Sequence, residues 1–201
     1  MSENSSIFIG YPLSLFMSLD ADRAALRQLL SRYSVRRGEQ FLLASGRTST
    51  VYCDARLTTC RAEAIPLVGR LFLDVIRRRG WQPHAVGGLT MGADPIVIAI
   101  ARESLHSPSP INAFLVRKQA KEHGARKLIE GLAENPPLDV VIVDDVCTSG
   151  GSTIQAINAA RLAGFNVLGA ICLVDREEGA RDAIETQHHC PFDRIFTLAE
   201  L

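Results

Sequence analysis

Two adjacent acids, Asp144 and Asp145, close the apolar run Val140–Val143, and the small, hydroxyl-bearing stretch Thr148–Thr153 follows them. An uninterrupted apolar run of this kind reads as an interior strand, so both carboxylates stand at its C-terminal end. In an extended chain they point to opposite faces: one can meet a ligand while the other stabilises the turn or takes a second ligand group. The glycines of "TSGGST" let backbone approach an anion closely. The N–H groups and positive dipole end of the helix that starts there favour bound phosphate. Carboxylates suit sugar hydroxyls and amides suit phosphate, so one corner describes a seat for a phosphorylated ribose. A Walker A loop would need Gly-Lys-Ser/Thr, and a dinucleotide fold would need G-x-G-x-x-G after its first strand; the sequence has neither.

A second group is basic. Arg117, Lys118, Lys121 and His123 put three fixed positive charges and one titratable group just after the apolar "INAFLV", with Gly124 as a hinge. A charge run is usually a solvated face. Its place directly after a strand, at the edge that carries the phosphate loop, points instead to a segment that closes over a polyanion and neutralises it. Arg176, in "VDREEG", also follows an apolar run. Its planar fork suits a carboxylate ligand, while surface pairing with Asp175, Glu177 or Glu178 is the competing reading. "HHC" at His188–Cys190 has no second ligand cluster at zinc spacing and reads as solvated residues before a turn at Pro191.

Alternating elements must position these groups. A helix starts near Asp20, and two short extended pieces lie near Phe41–Leu43 and Val51–Asp54. A long helix covers residues 61–79. Short apolar strands ("HAVGG", "INAFLV", "LDVVIVDD", "NVLGAICLV", "RIFTL") then alternate with helices ("PIVIAIARESL", "STIQAINAARLAG", "EEGARDAIE"). Strands that are apolar without alternation and are separated by helices predict an α/β fold: an open parallel sheet flanked by helices on both faces. Ligands of such sheets bind beyond the carboxyl ends of the strands, where the chemistry-bearing residues fall. The segment of about 17–60 breaks the alternation and is expected to form a small N-terminal cap over that edge. Residues 1–16 read as a flexible extension and 17–201 as a single domain.

The chain has 201 residues and a formal net charge of zero, with 22 Lys and Arg against 22 Asp and Glu. This balance gives no electrostatic case for nucleic acid or an acidic membrane. Ile7–Leu19 is apolar but too short to span a bilayer, contains Pro12 and lacks the basic start of a signal peptide. Five scattered cysteines without a C-x-x-C pair suggest reduced thiols in a cytoplasmic protein.

"VVIVDDVCTSGGS" resembles the phosphoribosyl-pyrophosphate-binding signature of the type I phosphoribosyltransferases, and roughly residues 20–200 resemble the orotate-specific branch. "FLLASGRTSTVYCDAR" is similar to that branch's front motif, "GGLTMGADPI" to the loop that approaches the pyrophosphate, and "VRKQAKEHG" to its mobile catalytic loop. The resemblance implies transfer of phosphoribose from phosphoribosyl pyrophosphate to orotate in pyrimidine (UMP) biosynthesis, with Mg2+ carried by the pyrophosphate substrate. It implies catalytic roles for Lys121, Asp145 and His123. It places the donor on Arg117, Lys118, Lys121, His123, Asp144, Asp145, Val146, Cys147, Thr148, Ser149, Gly150, Gly151 and Ser152. It places orotate near Thr148, Arg176 and Tyr52, and it implies a homodimer whose basic loop crosses the interface. One departure stands out: some members carry Lys where this chain has Ala44, and Arg47 or the "GGLTMGAD" loop is left to cover that charge.

Overall fold

The computed structural model describes residues 18–42, 48–119, 128–132 and 137–201. Helix α1 (Leu19–Leu29) starts on Ser18, whose hydroxyl accepts from the Ala21 N–H at 3.3 Å, and carries Asp20 and Asp22 in its first turn. Acids there complement the helix dipole. A π-helical turn, Leu30–Ser34, extends it into an antiparallel hairpin, β1 (Val35–Leu42) with β2 (Thr48–Cys53), which forms a sheet of its own. The short α2 (Arg56–Thr59) and then α3 (Ile65–Arg78) lead to the main sheet.

Its elements follow in sequence: β3 (Ala85–Leu89), α4 (Asp94–Ser104), β4 (Asn112–Val116), the two-residue β5 (Ile129–Glu130), β6 (Asp139–Cys147), α5 (Gly151–Leu162), β7 (Asn166–Asp175), the short α6 (Ala180–Asp182) and β8 (Phe192–Thr197). The spatial order is β5-β4-β3-β6-β7-β8. All neighbours are parallel except β4 and β5, which are antiparallel.

Both faces of the sheet are covered, and successive β6 residues separate the two cores. Val141 and Val143 pack with α1, α3 and α4, whereas Val140 and Ile142 pack with α5. This two-sided burial is why the strands read as unbroken apolar runs. Strands β3 and β6 approach so closely that a Cβ at Gly88 would lie 2.1 Å from the Val143 carbonyl oxygen.

The expected parallel α/β sheet is present, mostly parallel, with the N-terminal segment outside it. Four boundaries differ from the sequence reading. The helix expected over 61–79 begins at Ile65, with Pro66 in its first turn, after the separate α2. Strand β1 begins at Val35, inside polar sequence, because a largely exposed hairpin needs no apolar alternation. The last helix waits for Gly179, which takes φ 101° immediately before it. Antiparallel β5, at the edge, is too short to leave a sequence pattern. Residues 1–16 lie outside the described residues.

Candidate active site

Strand order reverses direction between β3 and β6: the chain moves outward to β4 from one and to β7 and β8 from the other. Such a switch point opens a crevice at the C-terminal strand ends. The register shows it directly. Pairing of β3 with β6 stops at Gly87–Ile142, while β7 follows β6 as far as Cys147–Asp175. Asp144 and Asp145 therefore stand beyond the last β3 pair, held on one side only.

The two acids face opposite ways. Asp144 is 4% exposed and turned toward α5. One carboxylate oxygen accepts from the Thr153 hydroxyl at 2.7 Å and the other from the Asp145 N–H at 3.0 Å. Burial first, and the neighbouring Asp145 second, push its carboxyl up to about 7. Asp145 is half-buried on the α3 and α4 side, where one oxygen accepts from the Val146 N–H at 2.8 Å. It rests on the loop after β3: a Cβ at Gly92 would lie 2.5 Å from its Oδ1. Burial also raises the Asp145 carboxyl, opposed by the Val146 N–H, by Asp144 and by the Arg56 charge.

The loop beyond them suits an anion. Gly150 takes φ 84° at the N-cap of α5, and no side chain caps that terminus. The first-turn amides of a helix have no partners within it, so an uncapped end at a crevice offers them to a ligand. Ser149, Gly151 and Ser152 are exposed, and Val146 and Thr148 are half-buried. Cys147 is buried, with its thiol 3.1 Å from the Thr153 hydroxyl. Gly150 is also buried, packed toward Ile184 and Ala180. The predicted donor-binding stretch thus divides into an outward set and an internal set, and Asp144, Cys147 and Gly150 belong to the second.

The basic segment starts beside this loop. The Lys118 carbonyl accepts from Gln155 on α5 at 2.9 Å, and Lys118 itself is exposed. The Arg117 guanidinium faces Glu130 at 3.6 Å. Lys121, His123 and Gly124 lie outside the described residues, as do Ala44 and Arg47.

Arg176 follows β7, on the other side of β6 from β3. Its N–H donates to the Cys147 carbonyl at 2.9 Å, which sets it next to Thr148. Its side chain, 6% exposed, donates through Nε to Glu178 at 2.7 Å. It also reaches the hairpin, through Nη2 to the Ser49 hydroxyl at 3.2 Å and Nη1 to the Val51 carbonyl at 3.4 Å. The side chain pairs with Glu178, one of the acids the sequence offered it, and is buried against the hairpin. Strand alternation puts Ser49, Val51 and Cys53 on one face of β2 and Tyr52 on the other. The Tyr52 ring stacks on Phe41, with centroids 5.5 Å apart. Cys53 lies near both Asp145 and Arg176; burial and then the Asp145 charge push its thiol up to about 12.

The fold brings here four residues that the sequence reading carried only within its motifs: Ser49, Cys53 and Arg56 in "FLLASGRTSTVYCDAR" and Gly92 in "GGLTMGADPI". Beyond those motifs, the D-x-R spacing of Asp54 and Arg56 just after β2 was a legible signal. Their bidentate pair has Nε–Oδ1 and Nη2–Oδ2 distances of 2.9 Å.

No family model matches the chain. Curated relatives do. An orotate phosphoribosyltransferase of Aquifex aeolicus is 40% identical over 182 residues, 90% of this chain and 97% of the relative. Among solved structures, the orotate phosphoribosyltransferase of Mycobacterium tuberculosis in complex with Fe(III) dicitrate has a TM-score of 0.76 at 40% identity, covering 89% of this chain and 98% of that one. The same enzyme in complex with 5-phospho-alpha-D-ribosyl 1-diphosphate has a TM-score of 0.72 at 38% identity, with the same two shares.

Proposed function

The chain belongs to the orotate phosphoribosyltransferase family, and from that membership we propose how its residues divide the work. The reaction is that of a pentosyltransferase, EC 2.4.2.10. Orotate and phosphoribosyl pyrophosphate give orotidine 5′-phosphate and pyrophosphate, a step of pyrimidine biosynthesis. A ring nitrogen of orotate displaces pyrophosphate at the anomeric carbon with inversion. Positive charge develops on the ribose and negative charge on the leaving group, so the protein must stabilise separated charge and exclude water.

The observation that carries the assignment is the crevice at the strand switch, with Asp145 on its wall beside an uncapped α5 N-terminus. Asp145 takes the ribose hydroxyls and faces the developing cation. Asp144, whose oxygens are already occupied, orients Thr153 and the loop backbone. The amides and hydroxyls of Thr148, Ser149, Gly151 and Ser152 hold the 5′-phosphate. Cys147 and Gly150 shape the loop from within, and half-buried Val146 stands with the outward set. Arg176 and Thr148 receive the orotate carboxylate and ring, against the β2 face of Ser49 and Cys53, with Tyr52 supporting the hairpin from behind. Arg117, Lys118, Lys121 and His123 meet the leaving pyrophosphate, and Lys121 and His123 are the catalytic side chains of that segment. A homodimer in which this segment serves the neighbouring subunit is part of the proposal, as is a cytoplasmic location. Among the described residues no helix is long and apolar enough to cross a membrane.

Magnesium fits as a passenger of the substrate. Asp145 stands half-buried at the end of β6. Mg2+ commonly binds through one or two carboxylates together with substrate phosphates and water. When bound, it would neutralise phosphate charge.

The deciding assay is loss of orotate absorbance on incubation with phosphoribosyl pyrophosphate and magnesium. Turnover with hypoxanthine or uracil and none with orotate would defeat the assignment.

A further inference from the structure

Inversion at the anomeric carbon requires the entering base and the departing pyrophosphate to lie on opposite sides of the ribose. Asp145, on which the ribose is placed, is flanked accordingly by two arginines. Arg176 stands on the β7 side. The chain from Ser49 to Arg56 crosses the strand ends from there: Ser49 and Val51 touch Arg176, and Arg56 opens α2, which packs on α4. Helix α4 follows the Thr90–Gly92 loop, which leaves β3 and lies against Asp145. With the order β3-β6-β7, this path sets Arg56 on the β3 side of Asp145, opposite Arg176.

The Arg56 side chain is held and still available. Asp54 takes Nε and Nη2 and also accepts the Arg56 main-chain N–H at 3.1 Å. Nη1 has no partner among the described residues, and the side chain is 45% exposed. A guanidinium fixed along one edge loses little further freedom when its other edge meets phosphate. Arg56 and Asp145 also feel each other's charge: Arg56 opposes the rise in the Asp145 carboxyl, and Asp145 strengthens protonation of Arg56. An anion beside Asp145 needs such a cation.

We propose that Arg56 is a ligand of the pyrophosphate group of the donor, acting from the β3 side while Arg176 serves the base from the β7 side. The proposal rests on the reading that this crevice binds phosphoribosyl pyrophosphate. It supplies a fixed positive charge to a site whose front motif has Ala44 in place of lysine.

The test compares the parent protein, Arg56→Gln and Arg56→Lys by calorimetry with three ligands: magnesium phosphoribosyl pyrophosphate, magnesium pyrophosphate and ribose 5-phosphate. The two pyrophosphate-bearing ligands should bind Arg56→Gln about tenfold or more weakly, the scale of one lost charge-assisted hydrogen bond. Ribose 5-phosphate should bind all three proteins alike. Arg56→Lys should recover part of the loss. Equal weakening for all three ligands would reduce Arg56 to a clamp of α2, and unchanged pyrophosphate binding would remove it from the site; either result overturns the proposal. Failure of the parent protein to bind ribose 5-phosphate would instead defeat the crevice as the donor's seat.

Discussion

The environment of Asp144 opposes its charge, and replacing it with Asn tests how the loop is built. Asn keeps the size of the side chain and an oxygen for Thr153 or the Asp145 N–H, but it cannot ionise. The Asp144 carboxyl moves from an ordinary 3.8 up to about 7, chiefly through burial and then through Asp145. A carboxyl with a raised folded pKa binds more protons in the native state than in the unfolded one. Its penalty is absent below about pH 4, grows as pH rises through the interval up to about 7, and is complete above it. Roughly three units at 1.36 kcal/mol each set a ceiling of about 4 kcal/mol, shared with Asp145 through their coupling. A chain of this size shifts its Tm by about 2–4 °C per kcal/mol. Half the ceiling therefore corresponds to about 4–8 °C. The assay is thermal melting of ligand-free, magnesium-free parent and Asp144→Asn proteins from pH 4.5 to 8.5. The Tm of the variant minus that of the parent should be small at the acid end, climb through neutrality and level off. A difference that stays flat, or that favours the parent increasingly as pH rises, would refute the claim that Asp144 is an internal, poorly solvated acid.

Three further outcomes are expected. Gly92→Ala puts a Cβ where the Asp145 Oδ1 now sits 2.5 Å away, so the carboxylate must move; turnover should fall by about 10²-fold, the scale of a 1 Å misplacement, with the Tm nearly unchanged. Gly88→Ala meets the Val143 carbonyl oxygen at 2.1 Å and the Ala93 Cβ at 2.5 Å, both inside the packed layer; denaturant titration should show a loss of about 3 kcal/mol or more. Lys121→Ala should lower turnover by about 10²–10³-fold in steady-state kinetics while leaving the melting curve in place.

Much of the site was legible because it is local in sequence. The run Val140–Val143, the two acids and the small residues after them are consecutive, and their types alone dictate a strand, a turn and a helix start. Arg176 was legible for the same reason: it directly follows the apolar β7. The strand–helix alternation gave the sheet, since two-sided burial writes itself into unbroken apolar runs. Strands β1 and β5 were less legible, because an exposed hairpin and a two-residue edge strand bury too little to leave a pattern.

What the sequence by itself determined was the inventory of the corner and its place at a strand end. Only the tertiary structure decided which way each group points. Asp144 turns inward because Thr153, nine residues on, donates to it from α5. Asp145 turns outward because a glycine from the β3 loop leaves room for it. Arg176 meets Ser49, 127 positions away, because the hairpin lies across the strand ends. Local types fix what a residue is able to bind, whereas burial and long-range partners, which emerge only when distant segments pack, fix where it points and which charge it can hold.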